Sequence, residues 1–427
     1  MTQHNFELTI DSIANGGAGV GMNRKRPVFV PYTIPGERVI ARPVEIGERH
    51  TIAEGVKLLD ASADRVYPVC PHFGPQRCGR CQWQHIAYDA QLLLKQDILA
   101  DQLGRLGGLS DREIEAVLRP TIPSPEQWAY NYHMTFSVTD DLQLAFPSAA
   151  QTFNLAQTKG LHGKSLYPIE VCHILHPDLL DLYQQLDLEL KDIKRVKLQI
   201  GSDGERMITL SLAQEDAPEL ETDLPTSINV ILPDNEPMNL IGDSHSRYRV
   251  GERMLRVTAG SSFRANVAQL PNLIAIVESL LELHGGETLL DLYAGVGIFS
   301  AFLAPKVSLV TLVESYPPAV TDADENLQEF DNVDVIEGSV EEVLVTLEET
   351  ADVVIADPPS RGLSKDAIDG LIATQAKRLV YMSDDPATLA RDAKRLTQQG
   401  YQLEVAQSLD SAPQTYYFDT VSLFLRR

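Results

Sequence analysis

Residues 291–300, DLYAGVGIFS, decide how the C-terminal part of this 427-residue chain folds. The apolar run TLLDLY leads into a turn with Gly295 and Gly297, and FSAFLA then follows at helical spacing. Glycine at those positions frees the backbone for a sharp turn and for close approach to a ligand at a helix N-terminus. The next strand-like run, VSLVTLVES, carries Glu314 23 residues beyond Asp291, where an acid can bind ribose hydroxyls. The alternation continues through DADENLQEF, VDVIEGS, ADVVIADPP, RLVYMSDD and a helix over 386–399, and closes with YQLEVAQSLD and TVSLFLRR. Repeated strand–helix units predict a mainly parallel, doubly wound sheet, an α/β fold.

A lone GxG turn is a weak signal, and a dinucleotide site is its rival. The GxGxxG form is absent, because position 300 is Ser. With DPP at 357–359 closing the fourth strand, the combination favours S-adenosylmethionine over NAD.

Upstream the pattern differs. Residues 6–58 alternate in short runs broken by turn residues, which predicts a small five-stranded barrel of the OB kind. Its turn Gly16 to Gly21 reads either as a phosphate cradle or as a hairpin needing positive φ. Tyr88 to Leu106 has helical spacing and stops at Gly107-Gly108, a C-cap signal. From 129 to 250 the chain is strand-rich, with MTFSV, DLQLAF, VKLQIG, MITLSLA and INVILP as candidate strands of an antiparallel region.

Length alone predicts two or three domains. No apolar run of about 20 residues and no basic, apolar leader is present, so a cytoplasmic, monomeric protein without membrane attachment is the expectation. Three of the four cysteines, Cys70, Cys78 and Cys81, crowd into twelve residues, a pattern of metal or cluster ligation in a reducing compartment. Net charge is -24, against the basic face of a general nucleic-acid binder, but residues 1–65 balance eight basic with eight acidic side chains. Any RNA contact must therefore use a local patch.

DLYAGVGIF, ADPPSRGLS and YMSDDPATLARD, in that order, resemble the uridine-5 RNA methyltransferases that act on tRNA and 23S rRNA. GGAGVG followed by FVPYTIPGERV is similar to that family's TRAM signature, and CGRCQWQH to its cluster motif. The resemblance covers essentially the whole chain and is weakest over 129–250. It implies a TRAM barrel over 1–66, a central iron-sulfur domain over 67–250 whose helix 88–109 packs on the C-terminal domain, and a class I (Rossmann-like) methyltransferase domain over 251–427. It also implies an RNA partner, S-adenosylmethionine contacts at Arg264, Tyr293, Gly295, Gly297, Glu314, Ser339 and Asp357, and a [4Fe-4S] cluster on Cys70, Cys78, Cys81 and Cys172. Four thiolates also suit zinc. Seven residues separate Cys70 from Cys78, longer than the family's usual spacing. Trp83 and His85, beside these cysteines, read as shields against solvent.

The departures concern chemistry. In the family the nucleophile is a cysteine in a motif like YVSCNPATLARD, and here Asp384 takes its place and Asp385 that of the Asn. The family's base is a Glu in a segment like FPHTxHxE, where this chain has APQTYYFD and Asp419, with Gln414 and Tyr417 at the His positions. Arg264 replaces a Gln that contacts cofactor, Asn266 is kept, Ser360 replaces an Arg of the DPPR segment, and YNYH occupies 130–133. Carbon 5 of uracil attacks a methyl group only after a nucleophile has added at carbon 6, and a carboxylate does this poorly. Asp384 and Asp385 also read simply as caps of the helix beginning at Pro386. Three readings compete: a methyltransferase that binds S-adenosylmethionine and RNA and methylates a base, with an amine held by Asp357 or Asp384 as the alternative to uridine carbon 5; a catalytically silent RNA-binding relative; and a dehydrogenase, which the barrel and cysteine segments disfavour.

Overall fold

The computed structural model describes residues 4–153, 165–215, 222–347 and 350–427. Strands β1 (Phe6–Thr9), β2 (Ser12–Ile13), β3 (Gly19–Asn23), β4 (Arg26–Val30), β5 (Arg38–Ile46) and β6 (Thr51–Asp60) form one sheet in the order β1-β5-β6-β4-β3-β2. β1 and β2 are two halves of one bent strand. The Ile10 N–H donates to Glu37 O on one side, and the next N–H, Asp11, donates to Val20 O on the other. The sheet thereby closes on itself into a five-stranded barrel in which β4 and β6 run parallel. Alternate residues Leu8, Ile10, Val28, Val30, Val39 and Ala41 fill it.

Helix α1 (Tyr88–Gln102) continues as a widened turn over Leu103–Gly107 and stops at Gly108, whose φ is 79°. Strand β7 (Leu118–Ile122) follows, then β8 (His133–Val138), β9 (Leu144–Pro147), β10 (Leu166–Pro168), β11 (Ile193–Ile200), β12 (Arg206–Leu212), β13 (Ser227–Ile231) and β14 (Pro237–Ile241). β8 to β14 form a seven-stranded sheet in the order β10-β9-β8-β11-β12-β13-β14. The expectation of a purely antiparallel region needs correcting, since β12 and β13 are parallel. A connection as long as 213–226 can carry the chain back across the sheet, which a short hairpin loop cannot do. The hairpin β15 (His245–Val250) and β16 (Arg253–Thr258) leads into the last sheet.

That sheet holds β17 (Thr288–Leu292), β18 (Leu309–Glu314), β19 (Val333–Glu337), β20 (Val353–Ala356), β21 (Arg378–Ser383), β22 (Tyr401–Leu409) and β23 (Asp419–Arg426), in the order β19-β18-β17-β20-β21-β23-β22-β7. β17 to β21 are parallel, and β23 is antiparallel to both neighbours. Along β20 the side chains alternate: Val353 and Ile355 join the core under helices Leu270–Leu281 and Pro317–Leu327, while Val354 and Ala356 join the core under Lys365–Ala373 and Pro386–Gln398. Both faces are thus covered, as the near-continuous apolar strands require. The order reverses direction between β17 and β20, and a crevice opens at their carboxyl ends. No described helix is long and apolar enough to cross a membrane.

One pair fixes α1 to the C-terminal turn. Lys95 Nζ, fully buried, donates to Asp410 Oδ1 at 2.5 Å and to the carbonyls of Ala412 and Tyr417. Tyr88 Oη donates to the other Asp410 oxygen. Each charge sits inside a hydrogen-bonded shell, the condition under which burial of an ion pair is tolerable.

Candidate active site

After β17 the chain enters left-handed backbone at Tyr293 (φ 58°), Gly295 (φ 57°) and Gly297 (φ 80°) before helix Ile298–Leu303. The two glycines do different work. A side chain at Gly297 would meet Leu327 Cδ1 at 3.0 Å, so that position serves close packing, whereas Gly295 faces the open cleft. At the end of β18, one Glu314 oxygen accepts from Gly295 N–H at 2.9 Å, and the other accepts from Ser315 and Tyr316 N–H. These bonds lock the turn and orient the carboxylate along the cleft. Half-buried Tyr293 lies at the cleft wall and packs on the core beneath.

The cleft, about 470 Å³, is also lined by Asp357 after β20, Asp384 after β21 and Asp419 at the start of β23. Arg264 ties two of them. Its Nη1 and Nη2 donate to the two oxygens of Asp357 at 2.8 and 3.0 Å, and Nε donates to Asp419 Oδ2 at 3.2 Å. Burial works against the guanidinium charge, but Asp357 and Asp419 outweigh it and hold Arg264 ionised. Burial raises the Asp419 pKa; Arg264 opposes this, while the neighbouring Asp357 and Asp384 add to it. Exposed Asp384 accepts from Ser360 Oγ at 2.6 Å. Asp385 turns the other way and caps the helix at Ala387 and Thr388 N–H, so the capping role falls to Asp385 and leaves Asp384 in the cleft. The loop carrying Arg264 is anchored by the central sheet: Tyr132 N–H donates to Ala265 O, and His133 Nε2 lies 2.8 Å from Phe263 O. Burial pushes the His133 pKa down to about 3, so the ring is neutral and donates to that carbonyl.

A second cavity, about 320 Å³, adjoins the cleft and shares Arg264, Asp384 and Asp419 with it; Arg80, Asn131 and Gln269 line it too. Of the sequence-proposed cofactor residues, Arg264, Tyr293, Gly295, Glu314 and Asp357 line the cleft. Gly297 and Ser339 do not: Ser339 caps helix Val340–Thr346 by accepting from Glu342 N–H. The Ser-x-x-Glu spacing of such a cap is present in the sequence at Ser339 and Glu342. Asp291, fully buried, was not singled out as a titratable group. Burial first, then Asp357 and Glu314, against an opposing bond from Ser300 Oγ, raise its pKa to about 7, and its Oδ1 has no partner.

Cys70, Cys78, Cys81 and Cys172 line one further, small cavity of about 20 Å³ together with Arg80 and Gln84. All four are free thiols. Burial, reinforced by the neighbouring thiols, pushes Cys172 up to about 11 and Cys78 up to about 12 and raises Cys81; burial alone raises Cys70, against hydrogen bonds from His72, Gln84 and Phe73. Among the described residues no group of three or more His, Cys, Asp or Glu is gathered closely enough to hold a single metal ion. Trp83 and His85 are buried behind this cavity rather than in its wall; Trp83 Nε1 donates to Gly17 O, and His85 packs against Phe73 and Tyr32. Gln414 O accepts from Gln82 and Trp83 N–H, joining the C-terminal segment to the cysteine loop, while Tyr417 is exposed beside Tyr416.

The sequence profile of the tRNA (uracil-5-)-methyltransferase family matches residues 247–427. An uncharacterized RNA methyltransferase of Streptomyces avermitilis is 31% identical, covering 98% of this chain and 97% of that protein. One from Listeria innocua is 31% identical over 99% and 98% of the two chains. The solved tRNA (uracil-54, C5)-methyltransferase of Pyrococcus abyssi, in complex with S-adenosyl-L-homocysteine, superposes with a TM-score of 0.73 at 22% identity over 98% of this chain and 100% of that one, which establishes a shared fold. The chain belongs to the tRNA (uracil-5-)-methyltransferase family of RNA methyltransferases.

Proposed function

We infer that this protein transfers the methyl group of S-adenosylmethionine to a base in RNA. The observation that carries this reading is the paired arrangement at the strand ends: one cleft framed by Gly295, Tyr293 and Glu314, opening through Arg264, Asp384 and Asp419 into a second cavity. The first suits an adenosyl group, with Glu314 as ribose acceptor and Tyr293 along the adenosyl moiety, because a crevice at a topological switch point presents backbone amides and an acid to a nucleoside. S-adenosylmethionine supplies an electrophilic methyl on sulfur. Arg264 positions Asp357 and Asp419 on either side of the junction, and Asp384 occupies the place of the family's nucleophile.

Residues 1–66 are assigned as the TRAM barrel, 67–250 as the central domain and 251–427 as the methyltransferase domain. The four thiols fit an iron-sulfur cluster. They are free, share one buried cavity and have raised pKa values, so each would gain from a cationic core that takes up its charge. A silent relative is the rival reading, motivated by the Arg264 bonds that occupy both Asp357 and Asp419. Anaerobically purified protein is expected to move labelled methyl from S-adenosylmethionine into RNA from cells lacking the gene, and to bind S-adenosylhomocysteine but not NAD in calorimetry. Binding without transfer to any RNA fraction would favour the silent relative.

A further inference from the structure

The methyl acceptor is set by what faces the junction of the two cavities. None of the four cysteines lines either of them; all lie in the separate cavity beyond Arg80. In place of a thiol stand three carboxylates, Asp357, Asp384 and Asp419, against the single guanidinium of Arg264. Two of the three are engaged by Arg264. Asp384 is the remaining one: it is exposed, it lines both cavities, and only one of its oxygens has a partner among the described residues, the Ser360 hydroxyl. An ionised carboxylate is acceptor-only, so the position that meets the target base selects for an N–H donor.

We propose that the group methylated is an exocyclic amine of an RNA base, with Asp384 as the acceptor of its hydrogen bond and of its proton. The proposal rests on the reading of the protein as an RNA methyltransferase and names the substrate class. The chemistry needs no covalent adduct. An exocyclic amine is a poor nucleophile because its lone pair is delocalised into the ring, and an N–H bond to Asp384 draws that pair back onto nitrogen. The nitrogen pair forms the bond to the methyl carbon as the carbon–sulfur bond breaks, and that pair stays on sulfur, leaving a neutral thioether. The nitrogen, now positively charged, releases one proton to Asp384, and the N–H pair remains on nitrogen. Carbon 5 of uracil would instead require a strong nucleophile at carbon 6, and a carboxylate is both a weaker donor and a better leaving group. Arg80 also lines the second cavity, where a guanidinium can donate to a carbonyl or ring nitrogen of the same base.

The test uses full-length, anaerobically prepared protein with labelled S-adenosylmethionine and RNA from cells lacking the gene, digested to nucleosides and resolved by mass spectrometry. Label is expected in an N-methylated adenosine, cytidine or guanosine. Label in 5-methyluridine would overturn the amine proposal while leaving methyl transfer to RNA intact; no label in any nucleoside would overturn both. A readout independent of turnover is a denaturing gel with RNA in which 5-fluorouridine replaces uridine. No protein–RNA adduct is expected, and an adduct that survives denaturation would overturn the proposal. Asp384→Asn should lower N-methylation by about a hundredfold while the affinity for S-adenosylhomocysteine stays within about twofold. An unchanged rate would remove Asp384 from the role.

Discussion

Arg80 lines both the cysteine cavity and the second cavity that adjoins the strand-end cleft, and the chain has treated the cysteine cavity and the cleft in opposite ways. In the cavity all four cysteines of the chain share one space. In the cleft the backbone frame is complete, with its glycine turn, its Glu314 lock and its helix cap at Asp385, yet the side chains that face the opening are exchanged. The reason is where each side chain sits. Cys81 and Cys172 are buried and tie the loop at 70–81 to the segment before helix Pro177–Gln185, so their loss disturbs packing as well as ligation. Asp384 is exposed, so a change of its chemistry costs the fold little.

The largest effect expected of this contrast is on the cavity side. Cys81→Ser should reduce iron in anaerobically prepared protein to background, and, because ligand binding energy is folding energy, cost on the order of 10 kcal/mol in the stability of the region it joins. Iron quantification and denaturant unfolding check this. Wild-type protein free of iron, with stability equal to that of the variant, would erase the difference between the two regions.

Next in size is the buried pair between α1 and the C-terminal turn. Lys95→Met leaves Asp410 buried with only Tyr88 and the Ala412 N–H as donors, and should lower stability by about 3–5 kcal/mol without changing iron content. Urea unfolding with iron quantification separates this loss from that expected of Cys81→Ser. Loss of iron on this substitution would mean that the cysteine cavity and the C-terminal sheet are not independently held.

The third effect is a pH dependence on the cleft side. The Asp291 carboxyl has a folded-state pKa of about 7 against 3.8 for the free group, so the folded state keeps a proton that the unfolded chain has released. Stability from this group falls as pH rises from about 4 to about 7, and the full penalty stands above 7. Asp291→Asn removes the ionisation and should raise stability at pH 8 by about 1–3 kcal/mol, with little change near pH 4. Thermal unfolding of both proteins across that range shows whether the slope disappears.

What the sequence revealed follows the same division between backbone and long-range contact. Helix–strand alternation, the glycine turn and the cap before Pro386 are local, and all could be read from neighbouring residues. Strand β7 could not: LRPTI has a single buried residue and a proline, and it is a strand only because β22 offers it an edge. Lys95 and Asp410 are 315 positions apart, so neither residue announces the pair. Arg264 was read as a cofactor contact from its place in SFRAN, but its partners Asp357 and Asp419 come from β20 and β23, and only the assembled sheet brings them within reach. Glu314 was placed correctly at a strand end, yet its bonds to three backbone amides depend on the fold of the turn that the glycines permit.

The smallest expected effect is also the sharpest test of how far the cleft has moved from its relatives. Asp384→Cys restores a thiol where the family pattern has one, and that thiol should add to carbon 6 of 5-fluorouridine in RNA and give a covalent band on a denaturing gel. It should nevertheless produce no 5-methyluridine from ordinary RNA. After methyl transfer the carbon 5 proton must leave, and Asp419 is buried, held by Arg264 Nε at 3.2 Å and one methylene shorter than the glutamate of the family motif. A base so engaged is poorly placed to reach the proton, because that would mean breaking its ion pair. Combining Asp384→Cys with Asp419→Glu should then release product where the single substitution accumulates adduct. If the single substitution already yields 5-methyluridine, the cleft differs from its relatives by one side chain, and Arg264 does not restrain Asp419 during the reaction.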